Sequence, residues 1–324
     1  MSKKILFFGN ERLATGVTTK TPTFLRLIEE GYEVAALILA QNPQAQSRAL
    51  RETEIVSSAK EHNVPVFYLN KLSESIDQIK EFNASAGILI AYGKMVPQSV
   101  IDIFPRGIIN IHPSLLPLHR GPTPLESVLL AGDQTTGISL MQLTSKMDAG
   151  PVYAQTSIAL PKLATKQDMA NELSERGSRL LIGHLPKILD GTLTPSAQEG
   201  QPTYDKLIQK NDGILDWSKT AIELERQVRA FSSWPRSSFV LNDIKLVVTE
   251  AHVETSDNPL VHTKAWPQND QGHEDDTVGA IVETDPRTLG FRTARDVFMI
   301  DKLLPSGRKE MTAAAFLSGY RPTS

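Results

Sequence analysis

Three polar residues stand at positions where this chain could move protons: Asn110, His112 and Asp148. Alternate residues of an extended segment face the same side, so Asn110 and His112 project together while Ile109 and Ile111 face the other way. The segment runs straight into Pro113-Ser114-Leu115-Leu116-Pro117-Leu118-His119-Arg120-Gly121-Pro122. Its prolines end the strand and fix a loop at the carboxyl edge, where open α/β sheets bind ligands. A later apolar run, 138–143, leads into Thr144-Ser145-Lys146-Met147-Asp148-Ala149-Gly150-Pro151, so Asp148 could meet His112. Taken singly, a strand-end histidine is more often a satisfied structural group, and an aspartate before Ala-Gly more often closes an Asx-turn. Together they make a set suited to general acid–base work beside a hydrogen-bonding amide.

Other chemistries find less support. The segment Gly9-Asn10-Glu11-Arg12-Leu13-Ala14-Thr15-Gly16 after the first strand is neither a dinucleotide-binding G-x-G-x-x-G nor a P-loop. Seven histidines are scattered without H-E-x-x-H spacing and there are no cysteines, so neither a resident metal nor a thiolate nucleophile is expected. Ser114 is not in a G-x-S-x-G elbow and reads as a turn serine.

The elements that must position the set are short apolar runs alternating with helical patterns. Runs at 4–8, 34–39, 64–69, 87–91, 108–112 and 138–143 read as strands. Thr21-Pro22 reads as a helix cap and first turn, with Gly31 as the stop. This alternation predicts a doubly wound, mostly parallel sheet covered on both faces. A long helix is expected from about Thr165 to Asp190-Gly191, with Pro186 bending or interrupting it. The first domain is placed at 1–191. Residues 192–206 have the composition of a linker, and 207–324 form a second domain: a helix at 221–231, β-rich runs near 239–248, 279–282 and 297–304, and a short helix near 313–317. That order reads as a small barrel-like β domain, with 254–277 as an exposed loop.

At 324 residues, 40% hydrophobic and 22% charged, the chain has the make-up of a two-domain globular protein. The basic start 1–4 is followed by too short an apolar run for a signal peptide, and no stretch approaches a membrane span. A soluble, cytoplasmic monomer with no membrane partner is the expectation. The net charge of −3 gives no general pull on polyanions, so a nucleic-acid partner would need a local basic surface. Nine acidic residues lie between Glu250 and Asp285 against Lys264 alone, which leaves a positive balance elsewhere in the second half.

The run Asn110-Ile111-His112-Pro113-Ser114-Leu115-Leu116-Pro117, then Arg120-Gly121, then Met147-Asp148-Ala149-Gly150 resembles the folate-dependent formyltransferases. Further on come Thr203-Tyr204-Asp205-Lys206-Leu207, Ile214-Leu215-Asp216-Trp217-Ser218, the run 224–231 and Trp234-Pro235. This second-domain signature is similar to that of the family members that formylate initiator methionyl-tRNA, and the resemblance spans roughly residues 60 to 250. It implies a Rossmann-like domain joined to an OB-like barrel. It also implies 10-formyltetrahydrofolate as cosubstrate, no metal, and the amino group of methionyl-initiator tRNA as acceptor. By position it makes Asn110, His112 and Asp148 catalytic, and places folate at Ser114, Leu115, Leu116 and Pro117 and at Ala91, Tyr92 and Gly93.

For such a reaction the tetrahedral centre formed by amine attack carries an oxyanion. Asn110 and His112 are suited to donate to it, and loss of one such donor typically costs about 2.7–4 kcal/mol. Asp148 would orient His112, favour its charged form or hold a relaying water. Candidate phosphate contacts are Arg48 and Arg51 after the second strand, Arg120, and Arg226, Arg229 and Arg236 in the second domain. Two departures from the family stand out: the segment 41–47 is uncharged where members carry a basic loop, and the turn 9–21 is stretched, with Arg12 and Lys20 as substitutes for the missing charge. Three alternatives remain: transfer to an amino sugar nucleotide, hydrolysis of the folate, and an RNA-binding protein working through its barrel.

Overall fold

Apolar runs that are each followed by a returning helix are placed to pair in parallel, and five strands of the first half do so. They are β1 (Lys4–Phe8), β2 (Glu33–Leu39), β3 (Val66–Tyr68), β4 (Ala86–Leu89) and β5 (Ile108–His112). Among them lie the helices α1 (Pro22–Glu29), α2 (Glu54–Glu61), α3 (Ile76–Glu81) and α4 (Gln98–Ile101), followed by α5 (Pro124–Ala131). Two more strands, β6 (Thr135–Gln142) and β7 (Val152–Ala159), complete a sheet of order β3-β2-β1-β4-β5-β6-β7. The computed structural model describes residues 3–19, 22–40, 53–256, 262–263, 278–283 and 287–319.

The strand order turns back between β1 and β4, the switch point at which sheets of this kind open a crevice. Gly9 sits there with φ of +106°, and a Cβ on it would run into the Ile90 carbonyl. Only glycine allows the chain leaving β1 to lie this close to the chain leaving β4.

Two features differ from the sequence expectation. β6 is antiparallel to β5, with Gln142 beside Ile109, so its end lies level with the start of β5. The segment after β6 must therefore return toward the end of β5 to bring Asp148 near His112. β7, which the sequence reading left out, is an edge strand whose polar residues Gln155, Thr156 and Ser157 fall on both faces, so its hydrophobic pattern is weak.

The helix α6 (Lys166–Asp190) starts and stops where its caps demand. Thr165 and Asp168 form a reciprocal capping box, and Gly191 takes the left-handed conformation at φ of +82°. The helix continues through Pro186, so the expected interruption is absent. Only one backbone donor is lost there, within the final turns.

The chain divides into two compact units, 1–128 with 133–207 and 129–132 with 208–324. The residues expected to be a linker, 192–206, belong to the first unit rather than forming a free spacer. Ser196 and Val152 exchange backbone hydrogen bonds, Arg120 N–H donates to the Thr203 carbonyl, and Asp205 N–H donates to the Arg120 carbonyl. Polar composition marks a segment without a core of its own, and here hydrogen bonds and the contacts of Tyr204 and Asp205 strap it down.

The second unit begins with α7 (Ala221–Ala230), capped by Thr220 and Glu223. It continues with β8 (Ser237–Leu241), β9 (Ile244–Glu254), β10 (His262–Thr263), β11 (Ile281–Glu283), β12 (Leu289–Arg292), β13 (Val297–Pro305), β14 (Met311–Thr312) and α8 (Ala313–Gly319). The strands form one antiparallel sheet of order β10-β11-β12-β13-β9-β8, with β14 on β13, consistent with the OB-like domain expected. Against its core packs the half-buried Trp217, stacked on Phe291 at 4.3 Å between ring centres and edge-on to Phe239. The Asp216-Trp217-Ser218 run therefore has structural tasks: an aspartate accepting from the Ser218 N–H at 3.1 Å and an indole packed on the core. Within the acidic stretch Glu250 is paired with Lys302; most of 254–277 lies outside the described residues.

Candidate active site

A cavity of about 600 Å³ opens at the switch point of the first unit. Its walls come from the segment after β1 (Asn10–Gly16), the segment after β4 (Ala91–Val96), the end of β5 and the segment carrying Asp148. The size falls within the range that small-molecule sites occupy.

Asn110 and His112 line this cavity and are buried. The alternation read from the sequence is borne out on the other face: a Cβ on Gly177 of α6 would come within 2.8 Å of Ile111 Cγ2, so Ile111 faces the helix. His112 Nε2 lies 3.0 Å from the His119 carbonyl. A carbonyl only accepts, so Nε2 carries the hydrogen and Nδ1 is the ring atom left to exchange a proton. Nδ1 lies 3.7 Å from Asp148 Oδ1, beyond a direct hydrogen bond but within ion-pair distance of a protonated ring. Asp148 is itself fixed: Oδ2 accepts the Gly121 N–H at 2.8 Å, and its backbone is left-handed at φ of +44°.

The structure separates the residues expected to touch folate into two groups. Ala91, Tyr92 and Gly93 line the cavity. Ser114, Leu115, Leu116 and Pro117 do not, because their polar groups are already used behind it. Ser114 Oγ donates to the Leu118 carbonyl at 2.7 Å and the Ser114 carbonyl accepts from Ser139 Oγ at 2.7 Å. The Leu116 N–H donates to Ser139 Oγ, and the Leu116 carbonyl accepts from Gln155 on β7. This loop braces the end of β5, and Pro113 is its member at the cavity wall.

The arginines chosen for charge alone are mostly engaged. Arg120 donates from Nε and Nη2 to Gln198 Oε1 and from Nη1 to the Tyr204 hydroxyl. Arg229 makes a two-pronged pair with Glu225 one helical turn away, at 2.6 and 3.0 Å. Arg226 and Arg236 are half-buried, and Arg48 and Arg51 lie outside the described residues, as does Lys20. Among the described residues the cations at the cavity are Arg12, Lys94 and Lys146, of which only Arg12 was singled out from sequence.

Sequence reasoning also missed the groups that hold the site together. Gln198 donates to the carbonyls of Asp148 and Gly150 at 2.8 and 2.7 Å, and so ties the Asp148 segment to Arg120. His119 lies between two carboxylates, Asp133 at 2.8 Å and Asp205 at 3.1 Å. The hydrogen bond its ring donates to Asp205 raises its pKa most, with Asp133 adding to it against the opposing effect of burial. Lys166, wholly buried, reaches the Thr15 carbonyl at 2.9 Å and Glu126 at 3.1 Å. Each of these partnerships joins residues far apart in sequence, so no local spacing announces it.

Glu11 is the clearest omission. Its carboxylate accepts the backbone N–H groups of Thr23 and Phe24, and so caps α1 from a distance. Thr21, the expected cap, lies outside the described residues. Burial pushes the Glu11 pKa up to about 7 despite those two hydrogen bonds. A carboxyl that binds its proton more tightly when folded makes the protein more stable when protonated; that advantage is lost as pH rises from the unfolded value of 4.5 through about 7. His119 acts in the same direction: its raised pKa contributes stability that is complete below 6.5 and lost as pH climbs through the folded value. Stability should thus decline from mildly acidic to neutral pH. Glu11→Gln should remove the part between 4.5 and 7, roughly 3 kcal/mol at 1.36 kcal/mol per pKa unit. Denaturant titrations across that range measure it, and parallel curves for variant and parent would contradict the assignment.

A crevice at a sheet's switch point, with an imidazole, an amide and a carboxylate converging on one wall, is the arrangement of an enzyme acting on a bound small molecule. The Formyl transferase family matches residues 13–185, and the Formyl transferase C-terminal domain matches 207–321. The chain belongs to the formyl transferase family. Methionyl-tRNA formyltransferase of Chloroflexus aurantiacus is 30% identical over 320 residues, covering 98% of this chain and 96% of the relative. That of Chloroflexus aggregans is 31% identical, covering 98% and 97%. Among solved structures, HypX from Aquifex aeolicus in complex with tetrahydrofolic acid superposes with a TM-score of 0.62 at 17% identity, over 97% of this chain and 46% of that one. WlaRD, a sugar 3N-formyl transferase, gives 0.62 at 14% identity, over 95% and 100%. At those identities the likeness is one of fold. No helix among the described residues is long and apolar enough to cross a membrane.

Proposed function

We propose that the protein transfers the formyl group of 10-formyltetrahydrofolate to the amino group of methionyl-initiator tRNA. The observation that carries the reading is the set of His112, Asp148 and Asn110 on one wall of the cavity, in a chain whose full-length relatives are methionyl-tRNA formyltransferases. In the reaction a bond forms between the acceptor nitrogen and the formyl carbon, and the bond from that carbon to the folate nitrogen breaks. The acceptor amine gives up a proton and the departing nitrogen gains one. His112 Nδ1 carries that proton, and the Asp148 carboxylate offsets the charge on the ring while it does so. The Asn110 amide donates to the oxyanion of the tetrahedral centre, for which a preplaced donor costs no reorganisation. Ala91, Tyr92 and Gly93 form the wall offered to the folate, and Pro113, braced by Ser114 to Pro117, closes the side next to His112.

For the acceptor, Arg12 and Lys146 are exposed at the cavity and are better placed to meet phosphate beside the reacting amine than the engaged Arg120 and Arg229. Purified protein given 10-formyltetrahydrofolate should release tetrahydrofolate when charged initiator tRNA is present, with an apparent affinity that falls steeply with salt. Release driven by an amino sugar nucleotide, or occurring without any acceptor, would replace this reading by a sugar formyltransferase or a hydrolase respectively.

A further inference from the structure

We propose that His119 is a positioning residue, whose ring, clamped between Asp133 and Asp205, holds its backbone carbonyl on His112 Nε2 and thereby sets the proton-bearing atom of the catalytic imidazole. The inference rests on the reading of His112 given above and adds the device that orients it. Both ring nitrogens of His119 face carboxylate oxygens, Nδ1 that of Asp205 and Nε2 that of Asp133. Carboxylates only accept, so both nitrogens donate and the ring is an imidazolium. The main chain is held as firmly as the side chain: the His119 N–H donates to Thr203 Oγ1 at 2.7 Å, and the neighbouring Arg120 exchanges hydrogen bonds with Thr203 and Asp205.

The clamp fixes one of the backbone conformations open to this residue. His119 has φ of +57°, a left-handed backbone that few residues other than glycine adopt, histidine being among those that do so more readily. In that conformation its carbonyl points at His112 Nε2, 3.0 Å away. A right-handed His119 would turn the carbonyl aside, and His112 would then be free to carry its hydrogen on Nδ1, the atom facing Asp148. Asp133 comes from the turn after α5 and Asp205 from the strap that ends at Leu207, so two separate segments converge on the His119 ring.

Side-chain nitrogen-15 spectra distinguish the two neutral forms of a histidine, and can be recorded on the full chain in mildly alkaline buffer with His112 assigned by its loss in His112→Ala. In the intact protein His112 should appear in the Nε2–H form alone. In Asp133→Asn/Asp205→Asn it should become a mixture of both forms. Turnover should fall roughly 10- to 100-fold, with KM for the folate donor changed by less than about twofold, as expected for a misplaced group rather than a lost binding contact. Asp205→Asn alone keeps an oxygen acceptor but loses the charge; it should move both readouts the same way, and it decides the matter if the double variant does not fold. An Nδ1–H form in the intact protein, or an unchanged His112 spectrum and unchanged kcat in the folded variants, would overturn the proposal. Full turnover in His112→Ala would remove the catalytic reading of His112 and leave these spectra standing, so the two failures are distinguishable.

Discussion

Replacing His112 by alanine should lower kcat by about 10²- to 10⁴-fold, the usual contribution of a general acid–base group, while the folate donor binds nearly as before. The size follows from the surroundings of the ring. With Nε2 committed to the His119 carbonyl, Nδ1 is the single atom of His112 able to exchange a proton, and Asp148 sits beside it. Water admitted into the space would be a weaker and unoriented proton carrier. The cavity wall at Ala91 to Gly93 is untouched by the change, so the loss should appear in turnover and not in donor KM. Single-turnover measurements with saturating donor separate the two, and near-normal turnover would end the assignment of His112.

A comparable effect, on stability instead of chemistry, is expected at Lys166. The ammonium is wholly buried against Glu126, itself 2% exposed, whose second carboxylate oxygen has no hydrogen-bond partner among the described residues. Burial lowers the pKa of the lysine and raises that of the glutamate, each against the pull of the other's charge. Lys166→Met would leave a buried carboxylate uncompensated and should cost about 3–5 kcal/mol. Lys166→Met/Glu126→Leu, which removes both charges, should regain most of that loss. Denaturant unfolding of the two variants tests the pair. A single variant as stable as the parent would mean that solvent reaches the glutamate. The lysine also holds the Thr15 carbonyl at the cavity wall, so the double variant should recover stability more fully than it recovers activity.

What could be read from the chain before its structure was known divides along a physical line. The pairing of Asn110 with His112 follows from alternation on one strand, and the limits of α6 follow from Thr165, Asp168 and Gly191; each is written within a few residues. β7 was not legible because an edge strand with polar residues on both faces has no strong period. The tasks of Glu11, Gln198 and Asp205 were not legible because each serves a partner that only folding brings near: Glu11 a helix start beyond a turn, Asp205 a histidine 86 residues earlier. The arginines show the converse. Charge can be counted along a sequence, but Arg120 and Arg229 are engaged by Gln198, Tyr204 and Glu225, which counting does not reveal. Ser114 to Pro117 lie beside the site in sequence, yet serve as its support because Ser139 and Gln155 take up their polar groups.

The strap at 192–207 bears on where the catalytic unit ends as a transferable piece. A protein engineer cutting at Gly191, where the last helix of the sheet stops, would keep every strand and lose Gln198, Thr203 and Asp205. Such a fragment would retain the sheet but would have slack in the segments that carry Asp148 and His119, because the fasteners of both were left on the discarded side. Grafts and chimaeras of this enzyme should therefore be joined after Leu207, and insertions tolerated by most polar connectors should be avoided between 196 and 206.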